Sequence, residues 1–331
     1  MDQLWGADSP TQNALSSAGF YCLLDEQPDH LLPNSFFNEE IDNSFSSWRM
    51  NPNCFFIHDE QMPSALAAEI APIKSFLRGE KIILLQDPAL RAWWPYWIGE
   101  TFSSIFECAE SGEVAIQDLT LEQRKILASA FLLLPSREIS RREKQWLDAI
   151  PYAQQYFAQN GYIPIRRLVP PFLVAALRRY YRFHIRSGHL KLGDSQSTRR
   201  YIAHNEPIVR YFHRQLTYAI STIAGKPLKP SYVYAGCYQE GAELKKHKDR
   251  AQCEYSFTFC LDYSPEPQNE TSWPIHLDTS EGTITVFQAI GDALVYRGCQ
   301  LPHYRHRLAQ GHTSTSIFFH YVDEDFAGPL D

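Results

Sequence analysis

A chain of 331 residues with 44% hydrophobic content can bury a substantial core, and its length suits one large domain or two ordinary ones. There is no run of about 18 apolar residues, and the opening Met1-Asp2-Gln3-Leu4 lacks the basic flank and apolar stretch of a secretory leader, so a soluble cytoplasmic protein with no membrane partner is expected. Seven cysteines, an odd number with no C-x-x-C pair, argue against a disulfide framework and a structural zinc site, and the net charge of −7 is unevenly spread.

Residues 1–60 hold ten acids against the single base Arg49 and show no sustained apolar period, which predicts an acidic, irregular cover. From Pro63 the spacing of Leu66, Ile70, Ile73 and Leu77 predicts a helix, and Lys81 to Leu85 a short buried strand. Trp93, Trp94 and Trp97 around Pro95 read as core aromatics at a bend. Thr120-x-x-Gln123 and Ser140-x-x-Glu143 both fit capping boxes ahead of apolar runs, so residues 61–158 read as a mostly helical accessory domain. No motif in it carries chemistry.

At Asn160-Gly161 the pattern changes. Tyr162 to Ile165 predicts a strand, Pro170-Pro171 sets the first turn of a helix striped by Leu173, Ala176, Leu177, Tyr180 and Tyr181, and a second helix is expected from Glu206 to Ile223, closed by Gly225. Residues 161–230 hold thirteen Lys or Arg against Asp194 and Glu206. Such a block either meets an acidic substrate or nucleic acid, or forms the solvated faces of helices flanking a sheet; the helix-like spacing favours the second. After Pro230, short β-branched and aromatic runs separated by Gly, Pro, Asn and Asp predict strands up to Val322. Two helices followed by many short strands give an α+β fold, a jelly-roll barrel (double-stranded β-helix) with flanking helices over residues 159–331.

Within this region His247-Lys248-Asp249 sets an imidazole and a carboxylate two residues apart, on one face of an extended strand, where both can bind one ion. An iron(II) oxygenase site needs a second His with coordination positions left open. His276-Leu277-Asp278 is a rival pair, but 27 residues separate it from His303, against 56 for His247, which leaves room for several returning strands. The third ligand is open among His303, His306, His312 and His320, and 303 and 306 face opposite sides of a strand.

The order of these segments resembles the iron(II)- and 2-oxoglutarate-dependent dioxygenases, in particular the prolyl-4-hydroxylase-like branch. In that family a Tyr stands nine residues before H-x-D with a Gly three after it, matched by Tyr238 and Gly241, and a G-D-A-L segment follows, matched from Gly291 to Tyr296. A distal His with a Gly eight residues beyond it is matched by His303 and Gly311. The resemblance covers about the last half of the chain. It implies His247, Asp249 and His303 as ligands of Fe(II), with 2-oxoglutarate and O2 as co-substrates and hydroxylation of an unactivated C–H bond in a peptide, protein or small molecule. The family's Arg or Lys for the far carboxylate of 2-oxoglutarate is replaced here by Thr313, leaving Tyr238, Arg305 and Thr313 as candidates for that task. Thr313 also supports a non-catalytic metal- or ligand-sensing barrel, and the basic block a nucleic-acid-directed oxygenase, although nucleic acid is the less expected partner. Substrate identity and oligomeric state are not readable from the sequence.

Overall fold

The computed structural model describes residues 20, 22–25, 31–37, 48–74, 80–111 and 116–331. Most of the acidic N-terminal cover, and Leu77 of the expected first helix, lie outside them. The described N-terminal part contains one turn of helix α1 (Asn34–Phe37), strands β1 (Trp48–Met50) and β2 (Cys54–His58), helix α2 (Ser64–Ile70), strands β3 (Lys81–Asp87) and β4 (Ala92–Ile98), helices α3 (Ser103–Ser111) and α4 (Leu121–Ser129), strand β5 (Leu133–Pro135) and helix α5 (Ser136–Asn160). Strands β2, β3 and β4 form an antiparallel sheet, and β1 pairs with β5.

The three-stranded sheet goes beyond the single strand, Lys81 to Leu85, expected in this part of the chain, beside helices that make up most of its described residues. The tryptophans lie on strand β4 rather than at a bend, because Pro95 sits on the outer strand of the sheet, where a missing N–H is tolerated. Trp94 and Trp97 are fully buried. The Thr120 capping box forms, with Gln123 N–H donating to Thr120 Oγ1 at 3.1 Å and the Gln123 side chain accepting from the Thr120 amide at 2.8 Å. The helix expected to start at Ser140 begins four residues earlier, at Ser136. Gly161 ends α5 in the left-handed region at φ 75°.

The C-terminal part follows as β6 (Tyr162–Ile165), α6 (Pro171–Arg186), β7 (Lys191–Leu192), β8 (Arg200–His204), α7 (Pro207–Gln215), α8 (Thr217–Ala224), β9 (Leu228–Tyr238), β10 (Leu244–His247), β11 (Tyr255–Ser264), β12 (Ile275–Thr279), β13 (Gly282–Val286), β14 (Ala293–Tyr296), β15 (His303–Arg305) and β16 (Thr313–Asp323). The single helix expected over 206–223 is divided at Leu216, where the Thr217 hydroxyl bonds back to the His213 carbonyl at 3.0 Å.

A seven-stranded antiparallel sheet runs β6-β14-β11-β16-β9-β8-β7, and a four-stranded one runs β10-β15-β12-β13. From β9 to β16 the chain passes back and forth between the two sheets, as in a jelly roll. No strand pairing joins the two sheets among the described residues, so the barrel is not closed by hydrogen bonds. The gap between them is bridged by side chains: Ile275 and Leu277 of β12 pack with Leu294 and Tyr296 of β14. No described helix is long and apolar enough to cross a membrane.

Several of the bases between 161 and 230 are consumed inside the fold rather than solvated. Arg178, 1% exposed, and Arg182 both grip Asp262, at 2.9 and 2.6 Å, on the bulge of β11, and Arg178 also pairs with Glu266. Arg200, 4% exposed, pairs with Asp194. These charges tie α6 and β8 to the loops and strands beside them.

Candidate metal centre

Strand β10 ends at His247, whose Cα partner across the antiparallel ladder is His303, the first residue of β15. Register alone therefore brings two imidazoles distant in sequence side by side, with ring centroids 4.3 Å apart. Asp249 lies just beyond the strand end, held there by its backbone N–H, which donates to Gly298 O at 2.9 Å. Its Oδ1 is 3.6 Å from His247 Nε2 and 3.5 Å from His303 Nε2, and one ligand atom from each of the three residues lies within 4.8 Å of the others.

The rings are oriented for coordination. His247 Nδ1 bonds the Lys245 carbonyl at 2.8 Å and His303 Nδ1 the Leu301 carbonyl at 3.1 Å, so in the neutral form each Nδ1 carries the proton and each Nε2 presents a lone pair toward Asp249. Burial lowers the His303 pKa, which favours that neutral form. Two imidazoles and a carboxylate on one face, backed by protein on the other, match the donor set of a 2-His-1-carboxylate site with open positions. His247 is the most exposed of the three, with 25% of its side chain accessible against 12% for Asp249 and 3% for His303, so the open side faces the rim near His247.

Two supporting residues had no signal in the sequence. Ser256, fully buried on β11, donates its hydroxyl to Asp249 Oδ2 at 2.6 Å and lies 3.1 Å from His320 Nδ1. Gly298 supplies the floor: a Cβ there would meet Asp249 Oδ2 at 2.3 Å and Ser256 Oγ at 2.6 Å. Asp249, Cys253 and His320 form a second group of donors that shares the same carboxylate. Its thiol contacts Tyr232 Oη at 3.0 Å, and burial pushes the thiol pKa up to about 12.

The remaining histidines are placed elsewhere. His306 packs against His276 at 4.6 Å, and His276 stacks on Tyr304 at 5.0 Å, while Asp278 is paired with Lys246 at 2.7 Å. His312 Nδ1 bonds the Tyr263 hydroxyl at 2.8 Å.

Arg305 follows His303 on the same face of β15 and is 4% exposed. Its guanidinium donates to the Trp273 carbonyl and to Gln288 Oε1 at 3.2 Å, and lies 4.8 Å from the Trp273 ring centroid. Nε makes no hydrogen bond, and no carboxylate among the described residues pairs with this cation. Burial accordingly lowers its pKa, against the opposing influence of Cys260, Tyr238, Tyr296 and Tyr263 around it. The Tyr296 ring lies 4.8 Å from that of His303.

Tyr238 is buried across β8 from Arg200, whose Nη1 donates to its hydroxyl at 2.8 Å, leaving the phenolic proton to be donated. Thr313 is a different case. Ser314 pairs with Tyr238 and Ser316 with Gly236, so strand alternation turns Thr313 to the opposite face, with Thr315 and Ile317. Its hydroxyl therefore lies on the opposite face of the sheet from Tyr238, a correction to the expectation that both could help hold the co-substrate. A cleft of about 650 Å3 beside Arg142, Trp146 and Arg167 is lined by none of the three clustered side chains.

No family model and no curated protein matches the sequence. Among solved structures the chain is similar to a Pseudomonas putida prolyl-4-hydroxylase, with 17% identity, 52% of this chain and 98% of that one covered, and a TM-score of 0.41. The epimerase SnoN from nogalamycin biosynthesis, described as non-heme and alpha ketoglutarate dependent, matches at 12% identity over 54% and 84% of the two chains, with a TM-score of 0.45. A Trichoplax adhaerens prolyl hydroxylase in complex with a peptide fragment of hypoxia inducible factor matches at 12% identity over 55% and 93%, with a TM-score of 0.44.

Proposed function

We propose that this chain is an iron(II)- and 2-oxoglutarate-dependent oxygenase that hydroxylates an unactivated C–H bond of a peptide, protein or small molecule. The observation that carries the reading is the cluster of two Nε2 atoms and a carboxylate oxygen, with a buried guanidinium that has no acidic partner two residues from His303 on the same face of β15. A buried cation without an acidic partner costs several kcal/mol, and its natural complement is an anionic ligand. When bound, iron(II) and 2-oxoglutarate supply dioxygen activation and the oxidising equivalents.

The chain's own residues perform the rest. His247, Asp249 and His303 hold the ion through Nε2, Oδ1 and Nε2, with the Nδ1 bonds to Lys245 and Leu301 carbonyls fixing the ring planes. Arg305 takes the far carboxylate of 2-oxoglutarate in place of the family's usual base, and Tyr238 donates its free proton to the same group. Substrate enters at the rim beside His247, the most accessible ligand.

Anaerobic titration with iron(II) and then 2-oxoglutarate, followed by the weak visible charge-transfer band of such chelates, tests the reading. His247→Ala and Asp249→Ala should each abolish one-to-one iron binding with the fold retained; tight binding by both variants would end the proposal. Arg305→Met should weaken 2-oxoglutarate about a hundredfold, roughly the 2–3 kcal/mol of a charge-assisted pair, without lowering the stability of the ligand-free protein, because a buried unpaired charge is exchanged for an apolar side chain of similar size. A destabilised Arg305→Met with an unchanged 2-oxoglutarate constant would assign Arg305 a structural role.

A further inference from the structure

Asp249 can meet a metal ion with one oxygen or with two, and the difference matters. A one-oxygen carboxylate beside two imidazoles leaves three positions of an octahedron open, enough for a chelating 2-oxo acid and one further small ligand. A two-oxygen carboxylate leaves only two.

The surroundings of the carboxylate decide between these states. Oδ1 faces the two Nε2 atoms, whereas Oδ2 is turned away and accepts the Ser256 hydroxyl at 2.6 Å. That short bond to a charged acceptor takes the only hydroxyl proton, so Ser256 Oγ must accept from its other neighbour, His320 Nδ1, 3.1 Å away. His320 is 6% exposed, and burial lowers its pKa to about 4, so it is neutral and the donated proton fixes its tautomer. The ring packs at 4.6 Å against Tyr232 with the two planes tilted by 41°, and its backbone carbonyl is held by His213 Nε2 at 2.8 Å from helix α7. A directed chain therefore runs from the His320 imidazole through the Ser256 hydroxyl to Asp249 Oδ2. Gly298 leaves room for this arrangement and for no other group, since even a Cβ would lie 2.3 Å from Oδ2.

We infer that Ser256, oriented by His320, is a positioning residue that holds Asp249 as a one-oxygen ligand and so reserves a coordination position for the co-substrate. This rests on the iron/2-oxoglutarate reading above and deepens it. The consequence is selective. Loss of the Ser256 hydroxyl frees Oδ2 to turn toward the ion, which maintains the grip on metal while closing a position that 2-oxoglutarate needs.

The test is anaerobic: iron(II) affinity of the apoprotein, then 2-oxoglutarate affinity of the iron-loaded protein from the visible charge-transfer band, for wild type, Ser256→Ala and Ser256→Thr. The expected result is a loss of about tenfold or more in 2-oxoglutarate affinity for Ser256→Ala, an iron affinity within about threefold of wild type, and recovery in Ser256→Thr, which keeps a hydroxyl. Unchanged 2-oxoglutarate affinity in Ser256→Ala, or a parallel fall of both affinities, would overturn the inference; the second outcome is what a merely structural role gives. Should Ser256→Ala fail to unfold cooperatively, His320→Phe, which removes only the donor that orients the hydroxyl, carries the same two outcomes. Failure of the wild type itself to bind iron would refute the underlying reading, and is distinguishable because it precedes any comparison of variants.

Discussion

At the scale of single residues the centre depends on close fit around one carboxylate. Gly298 is the sharpest case, because its backbone is not in the left-handed region and nothing but space demands glycine there. Gly298→Ala puts a methyl 2.3 Å from Asp249 Oδ2 and 2.5 Å from the Cys253 carbonyl, and the carboxylate is the group able to move. The expected outcome is loss of stoichiometric iron binding, measured by anaerobic titration, with a stability cost of about 1–3 kcal/mol typical of overpacking. Retention of wild-type iron affinity would show that Asp249 Oδ2 has freedom that this packing denies it. The three side chains that cluster here had a signal in the sequence, an H-x-D pair and a distant His, and spacing favours His247 over His276. Ser256 and Gly298 were not legible. A buried Ser on a strand and a Gly in a turn are common, and only the register of β11 against β16, with Ser256 opposite His320, gives them meaning.

At the scale of elements, Glu206 shows how a helix cap can store a pH dependence. It is the N-cap of α7, with its Oε1 accepting from the Tyr180 hydroxyl at 2.8 Å and the Ile208 amide at 3.3 Å, while Oε2 is buried without a partner. Burial pushes its carboxyl up to about 7, partly offset by the Tyr180 and amide hydrogen bonds. The folded protein thus retains a proton that the unfolded chain releases at the ordinary carboxylate pKa. Stability is fully present below about pH 4.5, declines as pH rises toward the folded value near 7, and is level above it, a change on the order of 3 kcal/mol. Glu206→Gln removes the titration, so the wild-type-minus-variant difference in unfolding free energy should fall between about pH 4.5 and 7 and be level above that. A difference constant across that range would mean that Glu206 ionises normally in the fold. The helices here were readable from stripes and prolines, but the break at Leu216 was not, since it comes from the Thr217 hydroxyl turning back on the His213 carbonyl.

At the scale of the whole molecule, the apolar core does not stop at the expected boundary near residue 158. One contiguous cluster runs from Cys22 and Trp48 through Trp94, Tyr96 and Phe157 to Phe212, Tyr255 and Tyr321. Trp94 of β4 packs on Phe212 of α7 at 5.8 Å, Tyr96 on Phe172 of α6 at 5.5 Å, and Phe157 of α5 on Tyr255 of β11 at 6.2 Å. The Trp93 amide donates to Gln215 Oε1 at 2.8 Å, so backbone polarity is satisfied across the same seam. Sequence patterns are local and mark where elements begin, but they do not register that the apolar faces of α6 and α7 are already covered by strand β4. The N-terminal region is therefore part of what keeps the helices, and through them the seven-stranded sheet, in place. Calorimetry should show a single unfolding transition whose calorimetric and van't Hoff enthalpies agree. Trp94→Ala, which removes one fully buried side chain at that seam, should lower this one transition by the equivalent of about 3–5 kcal/mol and carry the loss of iron binding to the same lower temperature. Two resolved transitions, with iron binding following only the one that Trp94→Ala leaves unmoved, would instead separate residues 61–158 from the metal-binding region as an independent domain.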